Sequence, residues 1–188
     1  MEGKVETNSG QRWGIMRLAA WSAGAGMLST ALIARSYLGE VSWVDALAQT
    51  GALIIAVGIA YELVSRTSSV AAYRTAIGLT LASFFLLGWV NGAVGLIGSE
   101  NNAANLMYAG VFLVCVVGTV LARLKPAGMA RALLATALAQ TLVAVIALVG
   151  RLGSSHSGPL EIVTANGFFV ALFVGSAALF RKAANGTT

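Results

Sequence analysis

The sequence predicts an all-α membrane protein with six transmembrane helices, and three observations support this fold class. Hydrophobic residues make up 57% of the 188 residues and charged residues only 10%, against about 25% in ordinary globular domains. Long uncharged stretches recur along the chain, and the alternating pattern of a lipid-facing β-barrel is absent. The only prolines, Pro126 and Pro159, fall where we expect connections between helices.

Stretches without charged side chains locate each span, because a charge at mid-bilayer costs about 2.5–3.5 kcal/mol. The four stretches after Arg74 contain 25, 22, 19 and 19 residues, close to the roughly 20 that a crossing needs. The first two are shorter, with 17 positions after Arg17 and 16 after Asp45, and they suffice if flanking side chains reach the interface. The predicted spans are 15–35, 45–65, 73–97, 104–124, 130–151 and 161–180, in a bundle of residues 15–182 between cytoplasmic tails 1–14 and 183–188.

The distribution of basic residues predicts the orientation. Ten of the twelve Lys and Arg residues fall on one set of alternate connections, and only Arg35 and Arg151 fall on the other. By the positive-inside rule, both termini are cytoplasmic, and we expect a bacterial inner (plasma) membrane protein. The expected partners are the lipid bilayer and anionic lipid at the cytoplasmic face. Because the basic residues are not interleaved with aromatics on one face, no nucleic-acid partner is expected.

The N-terminal segment leaves one alternative open. Basic residues followed by a 17-residue uncharged stretch resemble a signal peptide, with Ala34 as the last residue before cleavage. Leu32 occupies a position where a signal peptidase requires a small residue, which favours an uncleaved first span. The remaining helices keep their orientation in either case, because a cleaved chain would begin outside.

A spacing of 57 residues recurs along the chain. Arg17, Arg74 and Arg131 are separated by 57 and 57 positions. The same offset aligns "GVFLVCVVG" at 110–118 with "GFFVALFVG" at 167–175. This periodicity predicts an αα-hairpin of about 57 residues used three times, with all copies in the same orientation across the membrane.

Two stretches carry resemblances. The segment "GALIIAVGIAYELVSR" at 51–66, together with the six spans, resembles the HdeD-like family of bacterial inner-membrane proteins. That resemblance implies a bundle of two-helix repeats and a link to acid resistance. Residues 84–140, with "WVNGAVGLIGSENNAANLMYAG" and "GMARALLATALAQTLVAVIAL", are similar to an uncharacterised group of bacterial multi-pass proteins. Neither resemblance implies an activity or a functional residue.

Polar residues gather in one turn that we expect outside the membrane. Glu100, Asn101, Asn102 and Asn105 offer oxygen ligands of the kind that hard cations prefer, but without the regular spacing of a calcium loop. Two interpretations stay open: a solvated turn with an Asn cap on the next helix, or a ligand or partner contact. Asn91 lies about two turns back, inside the preceding span.

Small residues and the single cysteine have structural explanations. Gly88 and Gly92 form a GxxxG pair, which predicts a close helix crossing. Cys115 is the only cysteine, so no disulfide forms within the chain and no thiolate metal cluster is expected. No metal or cofactor is predicted.

Four further polar residues have both a structural and a functional interpretation. Glu62 either carries protons within the membrane or pairs with Arg66, four residues later on the same helix. Gln140 and Asn166 either hydrogen-bond between helices or line a pathway. His156, the only histidine, is either a solvated loop residue or a pH sensor, because an unperturbed imidazole titrates near pH 6.5.

Three functions from different classes follow. We expect an integral membrane protein without enzymatic activity, with an accessory, stress-related or assembly role, partnered by a second copy of itself or by another membrane protein. The alternative is a small channel or carrier for a solute or proton, in which polar residues converge on one cavity. A membrane enzyme is third, because no nucleophile elbow, HExxH, CxxC or nucleotide loop is present.

Overall fold

A computed structural model describes residues 21–35, 42–66, 68, 70–153 and 157–186, and its regular elements are helices. These are α1 (residues 21–35), α2 (Ser42–Ser65), α3 (Ala71–Ala93), a 3-10 turn (Ala103–Leu106), α4 (Met107–Ala122), α5 (Pro126–Val149) and α6 (Pro159–Asn185). Five helical segments are long and apolar enough to cross a bilayer, one in each of α2 to α6. The segment in α4 includes the preceding 3-10 turn. The chain is therefore an all-α, multi-pass membrane protein.

Several helix bounds differ from the sequence prediction. The predicted first span is described only from residue 21 onward, and the rest lies outside the described residues. Helix α3 ends at Ala93, four residues before the predicted end at 97, and α6 continues to Asn185. Pro126 and Pro159 begin α5 and α6, because a proline in the first turn forfeits no helical hydrogen bond.

The chain divides into two compact units, Met1–Glu62 and Leu63–Thr188. In the first unit, α1 and α2 approach closely at glycines. A Cβ built on Gly51 would lie 2.9 Å from the carbonyl oxygen of Gly24, and Trp21 packs over Gly58. The missing side chains let the two backbones come together, as is common for helices in membranes.

The second unit contains α3, α4, α5 and α6. Helix α6 packs against both α3 and α5, and α5 also packs against α4. At one end, Tyr73 at the start of α3 donates a hydrogen bond from its hydroxyl to the carbonyl oxygen of Leu124, in the turn between α4 and α5 (2.7 Å). At the other end, the hydroxyl of Ser157 donates to the carbonyl oxygen of Gly98 (3.3 Å). The four helices therefore alternate in direction.

The core of this unit combines aromatic contacts with one close helix crossing. The ring of Phe84 in α3 lies 4.6 Å from that of Phe112 in α4 and 4.9 Å from that of Phe173 in α6. Helices α4 and α5 approach at Gly118, where an added Cβ would lie 2.7 Å from the Cβ of Ala132. Side-chain size at this crossing therefore sets the distance between the two helices.

The predicted crossing at Gly88 and Gly92 is not found among the described residues. A Cβ on Gly92 would meet nothing within 4 Å, and one on Gly88 would meet only the ring of Phe112 at an ordinary 3.6 Å. The prediction was wrong because spacing alone does not say which side of a helix faces a neighbour. Gly118 performs the role that the pattern assigned to Gly88 and Gly92.

Candidate functional site

Three deeply buried polar side chains of the second unit meet in its interior. Asn166 of α6 accepts hydrogen bonds at Oδ1 from the hydroxyl of Tyr108 in α4 (3.0 Å) and from Nε2 of Gln140 in α5 (2.9 Å). The amide nitrogen of Asn166 donates to the carbonyl oxygen of Ile162 in its own helix (2.9 Å). No member of this group is more than 1% exposed. One amide oxygen therefore joins three helices.

The sequence pointed to two of these three residues. The hydrogen bond between Gln140 and Asn166 matches the interhelical interpretation of those residues. Tyr108 was missed, because a tyrosine near the end of an apolar span is equally typical of the membrane interface. Its only signal was its place next to the polar turn, and its burial could not be read from the sequence.

Some hydrogen-bonding capacity in the interior is unused. Among the described residues, Oε1 of Gln140, Oδ1 of Asn91 and Oγ of Ser176 are buried without a hydrogen-bond partner. An unpaired buried acceptor costs roughly 1–3 kcal/mol unless another group supplies a proton. The interior therefore retains acceptors that a donor of suitable size could satisfy.

The polar turn between α3 and α4 is a folded structure organised around Asn105. This side chain, 6% exposed, accepts hydrogen bonds from the backbone N–H groups of Leu96 (3.1 Å) and Ile97 (3.0 Å). Its own amide donates to the carbonyl oxygen of Ser99 (2.7 Å). Asn105 thus satisfies the backbone of a segment that leaves the helix at Ala93, which explains why the turn begins earlier than expected.

The same turn is tied to the connection between α5 and α6. Asn102 caps the 3-10 turn by accepting from the backbone N–H of Ala104 (3.0 Å), and its amide donates to the carbonyl oxygen of Leu152 (2.9 Å). The backbone N–H of Gly98 donates to Oγ of Ser157 (3.2 Å). Asn102 therefore both caps a helix and links two connections.

The remaining members of the predicted polar set lie at the edge of this turn. Asn101 and Glu100 are exposed and bonded to each other, with Nδ2 of Asn101 donating to Oε1 of Glu100 (3.3 Å). Asn91 reaches the turn from α3 through a long hydrogen bond from Nδ2 to the carbonyl oxygen of Asn105 (3.5 Å). The structure therefore brings Asn91 to Asn105, whereas Gln140 and Asn166 form the separate group described above.

Two predicted residues fall outside these groups. Glu62 is half-buried near the end of α2 and belongs to the first unit, and its pairing with Arg66 stays a prediction. His156 lies outside the described residues. Among the residues that are described, no group of three or more His, Cys, Asp or Glu side chains could hold a metal ion.

Two cavities among the described residues of the second unit have similar sizes. An almost entirely apolar groove of about 360 Å³ lies between α3 and α4, with Ile77, Phe84 and Cys115 among its lining residues. A cleft of about 370 Å³ lies between α5 and α6 and is lined in part by Arg131 and Arg181. The sequence analysis identified neither, because both depend on which faces of neighbouring helices meet.

Comparison with known proteins adds no assignment to this geometry. No protein-family model matches the chain, and searches of curated proteins and of solved structures find no match.

Proposed function

We propose that this chain is a bacterial inner-membrane protein with an accessory, stress-related or assembly role, and that the helices of its second unit form a rigid bundle and not a conduit. The observation that carries this proposal is the group formed by Tyr108, Gln140 and Asn166. These polar side chains hydrogen-bond to one another across three helices, the arrangement expected of groups that hold a bundle together. The weak resemblance to HdeD-like proteins favours a role under acid stress.

Six spans with both termini in the cytoplasm complete the proposed architecture. Support comes from the second unit, in which seven basic residues lie at or near one end of the helices and Arg151 lies at the other. The seven are Arg66, Arg74, Arg123, Lys125, Arg131, Arg181 and Lys182. This asymmetry corresponds to a cytoplasmic end under the positive-inside rule.

The three-hairpin repeat belongs to the same proposal. Its support is that four of the six buried positions of α3 recur in α5 at an offset of 57 residues. The pairs of buried residues are Tyr73 and Ala130, Ala76 and Leu133, Thr80 and Ala137, and Ser83 and Gln140. Two helices that bury the same positions at a constant spacing are expected if one hairpin has been duplicated.

Cysteine labelling tests the orientation. In a Cys115→Ala background, a cysteine introduced in place of Asn101 should react with a membrane-impermeant maleimide in intact cells. A cysteine in place of Lys125 should react only after permeabilisation, because it lies at the opposite end of the helices. The reverse pattern would overturn the proposed topology, and reaction of both in intact cells would overturn the assignment of the two ends.

A proteoliposome assay with a matched genetic test addresses the role itself. The purified protein is reconstituted into vesicles that contain a pH-sensitive dye. The rate of proton leakage into these vesicles should equal that into vesicles without protein. Deletion of the gene should lower survival of its host at acid pH, and a wild-type copy should restore it. Proton flux in the vesicles, or full survival of the deletion strain, would contradict the proposal.

A small carrier is the second candidate, favoured by one observation. Oε1 of Gln140 is a buried acceptor without a partner, adjacent to two other polar side chains, and a transported donor could bind there. This function predicts flux in the vesicle assay that Gln140→Leu abolishes. Flux that survives this substitution would exclude Gln140 as the site.

A further inference from the structure

The cleft between α5 and α6 lies at the end of the second unit where most of its basic residues are found. Its volume of about 370 Å³ is within the roughly 300–1,000 Å³ typical of small-molecule sites. The lining residues are two arginines, one asparagine, one leucine and three alanines: Arg131, Arg181, Asn185, Leu134, Ala127, Ala130 and Ala184. Small side chains make the space, and the two arginines give it positive charge.

No acidic side chain in the described part of the second unit lies at this end of the helices. None of the seven described lining residues is acidic. After Glu62 the sequence contains only two acidic residues, Glu100 and Glu161, which lie in the turn between α3 and α4 and in the first turn of α6, at the opposite end. Among the described residues of their unit, no acidic side chain therefore neutralises the positive charge of Arg131 and Arg181.

The geometry of the cleft favours an anion with several oxygen atoms. Nε of Arg131 donates to the carbonyl oxygen of Ala127 (3.4 Å), which holds the side chain along the first turns of α5 and leaves its terminal amino groups for another acceptor. Ala127 itself belongs to the first turn of α5, where backbone N–H groups and the helix dipole also favour negative charge. The guanidinium group of an arginine can donate two parallel hydrogen bonds to the oxygen atoms of one phosphate.

An exposed apolar surface continues from the cleft along the same two helices. Leu134, Leu138 and Leu142 follow Arg131 at helical spacing on α5, and all three are exposed. On α6, the exposed positions preceding Arg181 at the same spacing are Ala178, Val174, Ala171 and Gly167. The stripe of leucines and the stripe of mostly small residues, together called the furrow, present an apolar surface against which an acyl chain can lie.

We propose that this cleft is a binding site for an anionic phospholipid, with the phosphate between Arg131 and Arg181 and one acyl chain along the furrow. A polar, positively charged cleft at a membrane surface that leads into an apolar furrow has the charge and polarity of such a lipid. The site requires only that this end of the helices meets a membrane surface. It does not depend on the proposed function or on which compartment that surface faces.

Native mass spectrometry of the full-length protein in detergent tests the site. Binding of phosphatidylglycerol is compared with that of phosphatidylcholine carrying the same acyl chains. The variant Arg131→Gln/Arg181→Gln should bind phosphatidylglycerol about 30-fold more weakly, because it loses charge-assisted hydrogen bonds to the phosphate. This factor is equivalent to about 2 kcal/mol at about 1.4 kcal/mol per factor of ten. The control Arg123→Gln/Lys182→Gln removes the same charge at the same end, outside the cleft. It should change binding by no more than about threefold, because it removes no hydrogen bond to the phosphate and exposed charges are screened by salt.

A further variant separates the cleft from its charge. Ala127→Leu keeps both arginines and fills the space, so it should weaken phosphatidylglycerol binding while leaving phosphatidylcholine binding and the melting temperature unchanged. If Arg131→Gln/Arg181→Gln and its control lose equal amounts of phosphatidylglycerol affinity, the proposal is overturned in favour of general electrostatic attraction to the protein surface. Undiminished binding of phosphatidylglycerol to the Ala127→Leu variant would also overturn the proposal. Displacement of the lipid by equimolar inorganic phosphate would overturn it in favour of a site for a free anion.

Discussion

Replacing Asn166 by leucine should destabilise the second unit more than replacing Asn91 by leucine. The substitution removes the acceptor of two interhelical hydrogen bonds, from Tyr108 and Gln140, and leaves both donors buried. Interhelical hydrogen bonds in membranes contribute about 0.6 kcal/mol on average and about 1.7 kcal/mol at most. The expected loss is therefore about 1–3 kcal/mol in the free energy of unfolding.

Asn91→Leu provides a matched control. Asn91 makes one long hydrogen bond of 3.5 Å, so its replacement should cost less than about 0.5 kcal/mol. Since both substitutions exchange the same side chains, the difference between them isolates the hydrogen bonds from the change in hydrophobicity.

Unfolding in mixed micelles with increasing sodium dodecyl sulfate measures both free energies. A double-mutant cycle with Tyr108→Phe then asks whether the Tyr108 hydroxyl acts through Asn166. We expect the two substitutions to be non-additive by about 0.5 kcal/mol or more, as for residues in direct contact. Additive effects, or an Asn166→Leu variant no less stable than Asn91→Leu, would refute the argument that this amide joins the helices.

Two glycine substitutions test the turn and the helix crossing. Gly95 has a φ of +72°, so Gly95→Ala should lower the free energy of unfolding in micelles by at least about 1–2 kcal/mol. Gly92→Ala should be near neutral, because the added Cβ meets nothing within 4 Å. Equal effects of the two substitutions would contradict this argument. Gly118→Ala places a Cβ 2.7 Å from that of Ala132 and should lower the free energy of unfolding by about 1–3 kcal/mol. Gly110→Ala adds a Cβ on the same helix in open space and should not destabilise the protein. A Gly118→Ala variant as stable as the wild type would show that α4 can move away from α5.

The charge pattern predicted most of the helices because it reports directly on the bilayer. The uncharged stretch between Arg131 and Arg151 corresponds closely to α5, which runs from Pro126 to Val149. Hydropathy was less informative at the end of α3. Val94, Leu96 and Ile97 are apolar, and the sequence analysis therefore kept them in the span. In the structure, the buried amide of Asn105 accepts hydrogen bonds from the backbone N–H groups of Leu96 and Ile97 in a turn.

The binding features could not be predicted because they depend on tertiary contacts. Gln140 and Asn166 were suspected individually, since polar residues in a span must find partners. Their common partner Tyr108 depends on how α4, α5 and α6 face one another, which no local pattern specifies. The sequence analysis assigned Arg131 and Arg181 to the same side of the membrane. It could not predict that they line one cleft, because the cleft is formed by the packing of α5 against α6.

The hydrogen bonds at both ends of the second unit restrict how its helices can slide. Gly98 to Ser157 and Asn102 to Leu152 join the connections at one end, and Tyr73 to Leu124 joins α3 to the turn at the other. A shift of one helix past another by a turn, about 5.4 Å, would break contacts at both ends at once. We therefore expect this unit to tilt or drift in the membrane as a whole, with its vertical register preserved when bilayer thickness changes.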